Sequence, residues 1–359
     1  MSASAPPPQR LLYLDAFRGF TMVVMIGGGF GLLHLRQHPI LSGAARQFEH
    51  TGWEGLTAWD LVLPFFLCVV GAVMPVSFAK RRAAGESWTA SFGHVLRRSA
   101  LLIAWGFFER SMQTGKPLFD ILSVLTHIGV VYLLAFLLLE ASWKTQAAAA
   151  LAILAAHWGL YQFVQVDGIA GPFVRDANVG SLVDRMIFGR TWSGSYTSLN
   201  ILAETVNVLG GVLAGRLLMS GLPRTRKMVT LASTGAGCVV LGFLLWQWIP
   251  MIKRLWSASY TVCTVGCSLL ALLLFYWVCE VLQWRRWAQV FVVVGSNSIF
   301  IYLFHECNAR YFNSMARTFL DWTVPWIGAW GLALQAWAVL AFEIWVCYWL
   351  YRRKIFFKL

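Results

Sequence analysis

The stretch Phe48–Gly71, FEHTGWEGLTAWDLVLPFFLCVVG, gathers the side chains of this sequence best suited to proton chemistry. Glu49, His50, Glu54 and Asp60 fall close together there, beside Trp53 and Trp59. Imidazole titrates near neutral pH in its ordinary state, so His50 is suited to accept or deliver a proton. Thr57, with Asp60 three residues on, has the form of a shortened capping box that opens a helix. Tryptophans collect at a lipid headgroup layer without doing chemistry. Capping and interface placement therefore account for Thr57, Trp59 and Asp60, but they leave His50 unexplained.

Other ionisable groups lie where apolar residues dominate. Asp15 and Arg18, three apart, can share one helix face, as a pair drawn to a membrane interface or as part of a site. His127, Glu204 and Glu343 fall inside apolar runs, where such groups are costly and face a bundle interior or a wet cavity. A packing contact between helices would explain each one singly. Lys253, Arg254 and Trp256 follow Pro250, and His305, Glu306, Asn308 and Arg310 follow an apolar run containing Asn297. The seven cysteines lie mostly in apolar runs. Cys263 and Cys267 share a helix face but have no metal-ligand pattern around them, so neither a metal site nor a disulfide framework is expected.

The elements that must position these groups are membrane helices. Of the 359 residues, 58% are hydrophobic and 13% charged, against about 45–50% and ~25% in soluble globular proteins. Too few charged residues remain to clothe a soluble surface. Runs long enough to cross the hydrocarbon occur at 11–33, 57–79, 95–112, 121–139, 145–164, 199–219, 228–250, 259–281, 288–305 and 327–350. The expected fold is an all-α, polytopic bundle of about ten transmembrane helices, in a lipid bilayer.

The formal charge of +13 would suit nucleic acid in a soluble protein, but no basic amphipathic module or run of stacking aromatics accompanies it. Orientation explains it better, because Lys and Arg collect in cytoplasmic loops. With both termini cytoplasmic, the inner segments hold 17 basic residues and four acids, and the rest of the chain holds 12 of each. The whole excess then sits on one side, as an even number of spans requires. Residues 1–10 are expected to form a short cytoplasmic tail, and 11–359 a single membrane domain. The longer loops, 34–56, 165–198 and 306–326, are expected outside.

LDAFRGF (Leu14–Phe20) and HTGWEGLTAWDLVLPFFLCVVG together resemble the catalytic domain of heparan-alpha-glucosaminide N-acetyltransferase and its bacterial relatives. ILSVLTHIGVVYLLA, IPMIKRLWSASYTVCTVG, FVVVGSNSIFIYL and LYRRKIFFKL extend the resemblance in family order over almost the whole chain. The resemblance implies a transmembrane acyltransferase of a bacterial inner membrane. It would move acetyl from cytosolic acetyl-CoA to an amino sugar or another extracytoplasmic glycan. The family's catalytic histidine falls on His50, as general base or transient acetyl acceptor. Trp53, Asp60, Glu204, Lys253, Trp256, Asn297 and His305 would shape or line the outer cavity. Arg18, Arg97 and Arg98 would meet the CoA phosphates, with Lys80 to Arg82 behind them. A homodimer is suggested by the relatives alone. Two positions depart from the family: Gly29 replaces an Asn after the first motif, and Thr126-His127 replaces Gln-Arg. A transporter of a sugar or lipid-linked sugar, using the same polar cavity without chemistry, is the alternative.

Overall fold

The computed structural model describes residues 11–165, 167, 170–191 and 196–357, so the expected tail 1–10 lies outside the described residues. The described chain is helical, with no strand. In order the helices are α1 (Leu12–Ile26), α2 (Ser42–Arg46), α3 (Val62–Ala83), α4 (Trp88–Thr114), α5 (Val124–Leu137), α6 (Trp143–Phe163) and α7 (Val179–Phe188). They continue with α8 (Asn200–Met219), α9 (Arg224–Leu245), α10 (Ala258–Tyr276), α11 (Ala288–Ser296), α12 (Ser298–Leu320), α13 (Val324–Ile327) and α14 (Ala329–Arg352). Each expected apolar run contains helix.

Five stretches are long and apolar enough to cross a membrane: Ala58–Ala83, Asn200–Met219, Arg224–Leu245, Ala258–Val281 and Ala329–Arg352. The pair α11 and α12, bent by 78° at Asn297, makes a sixth if it is one broken span. Of the other expected spans, α1 and α5 have only 15 and 14 residues, and α4 carries Arg97, Arg98, Glu109 and Arg110. The segment 306–326 is not a loop. α12 runs on to Leu320, since neither Gly nor Pro interrupts residues 298–320.

α1 stops early because Gly28, Gly29, Phe30 and Gly31 all have positive φ. Such a run cannot continue a right-handed helix. Lower in α1, Gly19 crosses α11 with almost no gap: a Cβ there would lie 1.7 Å from the Phe291 carbonyl oxygen. Close backbone approach of this kind is how membrane helices pack without a hydrophobic driving force. The same crossing carries Arg18, whose Nε donates to the Gly295 carbonyl at 2.8 Å while its guanidinium bonds Asp15 at 2.8 Å. One large buried cluster around Met22, Leu67, Val131, Leu209 and Trp256 fills the space between α1, α3, α5, α8 and the segment before α10.

Candidate active site

The turn before α3 forms as its sequence suggests. Thr57 and Asp60 make a reciprocal capping box. The Thr57 N–H and hydroxyl donate to Asp60 Oδ2 at 3.2 and 3.0 Å, and the Thr57 hydroxyl also reaches the Glu49 carbonyl at 2.8 Å. Tyr260 of α10 donates to the Asp60 carbonyl at 2.6 Å, and Gly55 N–H donates to the Met251 carbonyl at 2.8 Å. The loop is thereby tied to the chain segment that precedes α10. Asp60 is completely buried.

The other Asp60 oxygen faces His50 and Lys253. His50 Nδ1 lies 2.8 Å from Oδ1. A carboxylate only accepts, so Nδ1 carries the hydrogen. Lys253 Nζ, almost wholly buried, sits 3.2 Å from the same Oδ1 and 3.2 Å from Nδ1. Since Nδ1 is already a donor, the ammonium donates to Asp60. The three groups form one unit: a buried carboxylate between an imidazole and an ammonium. His50 keeps 45% of its side chain exposed, against 0% for Asp60. Its polar partners among the described residues are all made through Nδ1, which leaves Nε2 for a ligand.

His50, Trp59 and Lys253 line a chamber of about 240 Å³, together with Met22, Met25, Phe66, Leu125, Tyr196 and Tyr302. Phe66, Leu125, Ile128, Ser298 and Ile299 also line a narrower space of about 70 Å³, which continues to Arg18, Ser77, Arg98 and Tyr132. Arg18, Arg98, Ser298 and Ile299 in turn line a third space of about 660 Å³, with Arg81, His94, Phe356 and Phe357. Shared walls set these spaces side by side from the His50 chamber to a basic mouth, the smallest in the middle, as a candidate passage. One face of α1 follows it, since Arg18, Met22 and Met25 recur at helical spacing. On α3 it extends from Leu63 to Arg81, a rise of roughly 27 Å.

The passage sorts the expected residues. His50, Asp60 and Lys253 come together at one end, and Arg18 and Arg98 at the other. Arg97 does not join them: one residue along α4 turns it to the exposed outer face. Asn297 and His305 are also away from the chamber. Asn297 occupies the α11–α12 break and bonds the backbone of Ile355 and Phe357. His305 of α12 bonds the buried Glu343 of α14 at 2.8 Å. Glu204 pairs with His127 at 2.8 Å, both buried behind the chamber wall. Trp53 donates to the Phe173 carbonyl at 3.1 Å. Trp256, fully buried, donates to Asn207 at 2.9 Å and backs Tyr196 and Tyr260.

Sequence reasoning missed several lining residues. Tyr196 lies in a loop without periodicity. Tyr302 sits in the FIYL run, and its hydroxyl donates to the buried Glu109 at 3.1 Å. His94 belongs to the mouth, 2.6 Å from Arg81, which lines the mouth directly rather than standing behind Arg18 and Arg98. Their charge was visible, but their direction was not. Among the described residues no three His, Cys, Asp or Glu side chains converge to hold a metal ion.

Residues 10–164, which include α1 and the His50 loop, match a family model described as a domain of unknown function, DUF5009. Over 432 aligned residues the chain is 26% identical to heparan-alpha-glucosaminide N-acetyltransferase of Homo sapiens, and over 425 residues 26% identical to that of Mus musculus. The alignments cover 99% and 98% of this chain. The chain is thus similar to heparan-alpha-glucosaminide N-acetyltransferase over nearly its whole length. It spans about three-fifths of the length of the curated relatives it matches, 61% and 60%. The resemblance to heparan-alpha-glucosaminide N-acetyltransferase read from the ordered motifs is therefore borne out. Gly29, where the motif comparison expects an Asn, is left-handed at φ 70°, and a Cβ on it would lie 2.7 Å from Phe48 Cβ. The local backbone here is built for glycine.

Proposed function

We propose that the protein is a transmembrane acetyltransferase that takes acetyl from acetyl-CoA on the cytosolic side and delivers it to an amino sugar or related glycan amine on the opposite side. The observation that carries this reading is the row of adjoining spaces between a basic mouth and His50. In this reading the ten helical segments cross a bacterial inner membrane with both termini inside. The mouth then opens to the cytosol, where Arg18 and Arg98 meet phosphates as charge-assisted donors. The pantetheine arm lies along the Met22 face of α1. The homodimer suggested by the relatives remains part of the proposal.

His50 Nε2 takes a proton from the acceptor amine as the amine nitrogen bonds the thioester carbonyl carbon. The carbon–sulfur bond breaks as the tetrahedral centre collapses, and His50 returns the proton to the departing thiolate. Asp60 holds the Nδ1–H tautomer, so the lone pair of Nε2 faces the chamber. Lys253 neutralises the buried carboxylate, which would otherwise be costly. Positioned base catalysis of this kind contributes typically about 10²–10⁴-fold.

A transporter needs a passage too, but it has no use for a tautomer-fixing carboxylate behind an exposed imidazole. The test is turnover of labelled acetyl-CoA with glucosamine by purified protein. His50→Ala is expected to lower the rate at least about 100-fold. Equal turnover in wild type and variant rejects the role of His50. Sugar counterflow in liposomes without acetyl-CoA would favour the transporter.

A further inference from the structure

Residues after α14 bear on which donors the mouth accepts. α14 ends in a paired C-terminal turn: Lys354 N–H donates to Tyr351 and Ile355 N–H donates to Leu350, both at 3.0 Å, with Lys354 left-handed at φ 57°. The chain thereby leaves the helix, and the short strap that follows lines the basic mouth with Phe356 and Phe357. Asn297, only 1% exposed, pins it at two points. Its Nδ2 donates to the Ile355 carbonyl at 3.0 Å, and its Oδ1 accepts from Phe357 N–H at 2.9 Å. A side-chain amide clipping an extended segment in this way leaves little freedom to slide. It sets Phe356 and Phe357 into the wall of the mouth, with Phe357 against Trp105 at 5.8 Å between centroids and still 38% exposed.

The facing wall holds Arg98. Its guanidinium lies 5.0 Å from the Tyr132 centroid, its Nε is buried without a hydrogen-bond partner, and no carboxylate pairs with it among the described residues. A cation without a counter-charge, lining the same space as two phenyl rings, matches a ligand that carries phosphate and an aromatic base together. Guanidinium binds phosphate as a planar fork, and aromatic rings take bases by stacking.

We propose that the strap is a base-stacking subsite, with Asn297 as its positioning residue, which makes the protein select donors bearing a nucleotide over bare pantetheine thioesters. This rests on the acyl-donor reading above. A lipid headgroup has phosphate but no base, so it would not need the rings.

Full-length protein in detergent would be titrated calorimetrically with CoA, ADP and pantetheine. The variant Phe356→Leu/Phe357→Leu keeps an apolar strap and is expected to weaken CoA and ADP about tenfold while leaving pantetheine unchanged. Asn297→Ala, which touches no ligand, is expected to lower the CoA-to-pantetheine affinity ratio in the same direction, and Phe356→Tyr/Phe357→Tyr to retain wild-type CoA affinity. Unchanged CoA binding in the leucine variant overturns the strap subsite alone. So does equal weakening of CoA and pantetheine. If wild type binds neither CoA nor ADP, the donor reading falls with it. Thermal unfolding of each variant separates loss of fold from loss of the subsite.

Discussion

Asp60→Asn is the sharpest perturbation of the proposed centre, because it changes one atom and no shape. Asp60 Oδ2 accepts the capping bonds of Thr57, and Oδ1 accepts from His50 and Lys253. An amide has one oxygen and one NH₂ and cannot serve both sets. With its oxygen toward Thr57, the NH₂ meets His50 Nδ1 and forces hydrogen onto Nε2, so the base is lost. It also points donors at the Lys253 ammonium. With its oxygen toward His50, the NH₂ opposes the Thr57 N–H and the cap is lost, a cost of about 0.5–2 kcal/mol. Either way Lys253, only 6% exposed, keeps a buried charge without its carboxylate, which costs about 3–5 kcal/mol. The expected stability loss is therefore at least about 3 kcal/mol, and the orientation that keeps the cap lowers turnover about 10²–10⁴-fold. Thermal unfolding in detergent reads the first effect, and initial rates with labelled acetyl-CoA read the second. Adding Lys253→Met should recover part of the stability, because the orphaned charge goes, but none of the rate. Wild-type turnover by Asp60→Asn would refute the tautomer argument. Absence of recovery in the double variant would refute the charge-pair argument.

Two further outcomes follow from buried neighbours. Gly29→Asn restores a residue typical of the relatives, yet its Cβ would press on Phe48, which leads into His50 and packs on Trp59. A loss of about 1–3 kcal/mol is expected from the overpacking, with lower rather than higher turnover; a gain in rate would show that the loop yields freely. Glu204→Leu removes the partner of His127, whose Nε2 already lacks one. It should lower stability by about 3–5 kcal/mol, and His127→Leu added to it should restore part of that. An unchanged unfolding temperature in the single variant would mean the pair carries no stability.

What could be read beforehand was local. The capping box needs only residues 57–60, and His50 stands out because nothing nearby explains it. The α1–α11 contact that sets Arg18 on the mouth joins positions almost the whole chain apart, and Lys253 reaches His50 across 203 residues. Such pairings depend on how helices cross, which composition does not encode. Arg97 and Arg98 have identical chemistry in sequence, and only helix rotation separates the lining residue from the exposed one. Asn297 looked like a ligand residue because it is polar in an apolar run. The bend there opens backbone groups, and the side chain serves the neighbouring strap instead. His127 and Glu204 were each visible as misplaced charge, but their pairing was not.

A conduit from one surface of a bilayer toward the other threatens the ion gradients a cell lives on. The middle compartment, at about 70 Å³, has room for about two waters; Arg18, Ser77 and Arg98 line it toward the mouth, and Phe66, Leu125, Ile128 and Ile299 wall it apolarly toward the chamber. Such a septum dries out more readily than it conducts. In the proposed function, insulation and delivery are asked of the same apolar collar, which would part for a slender organic chain while refusing hydrated sodium or a file of hopping protons.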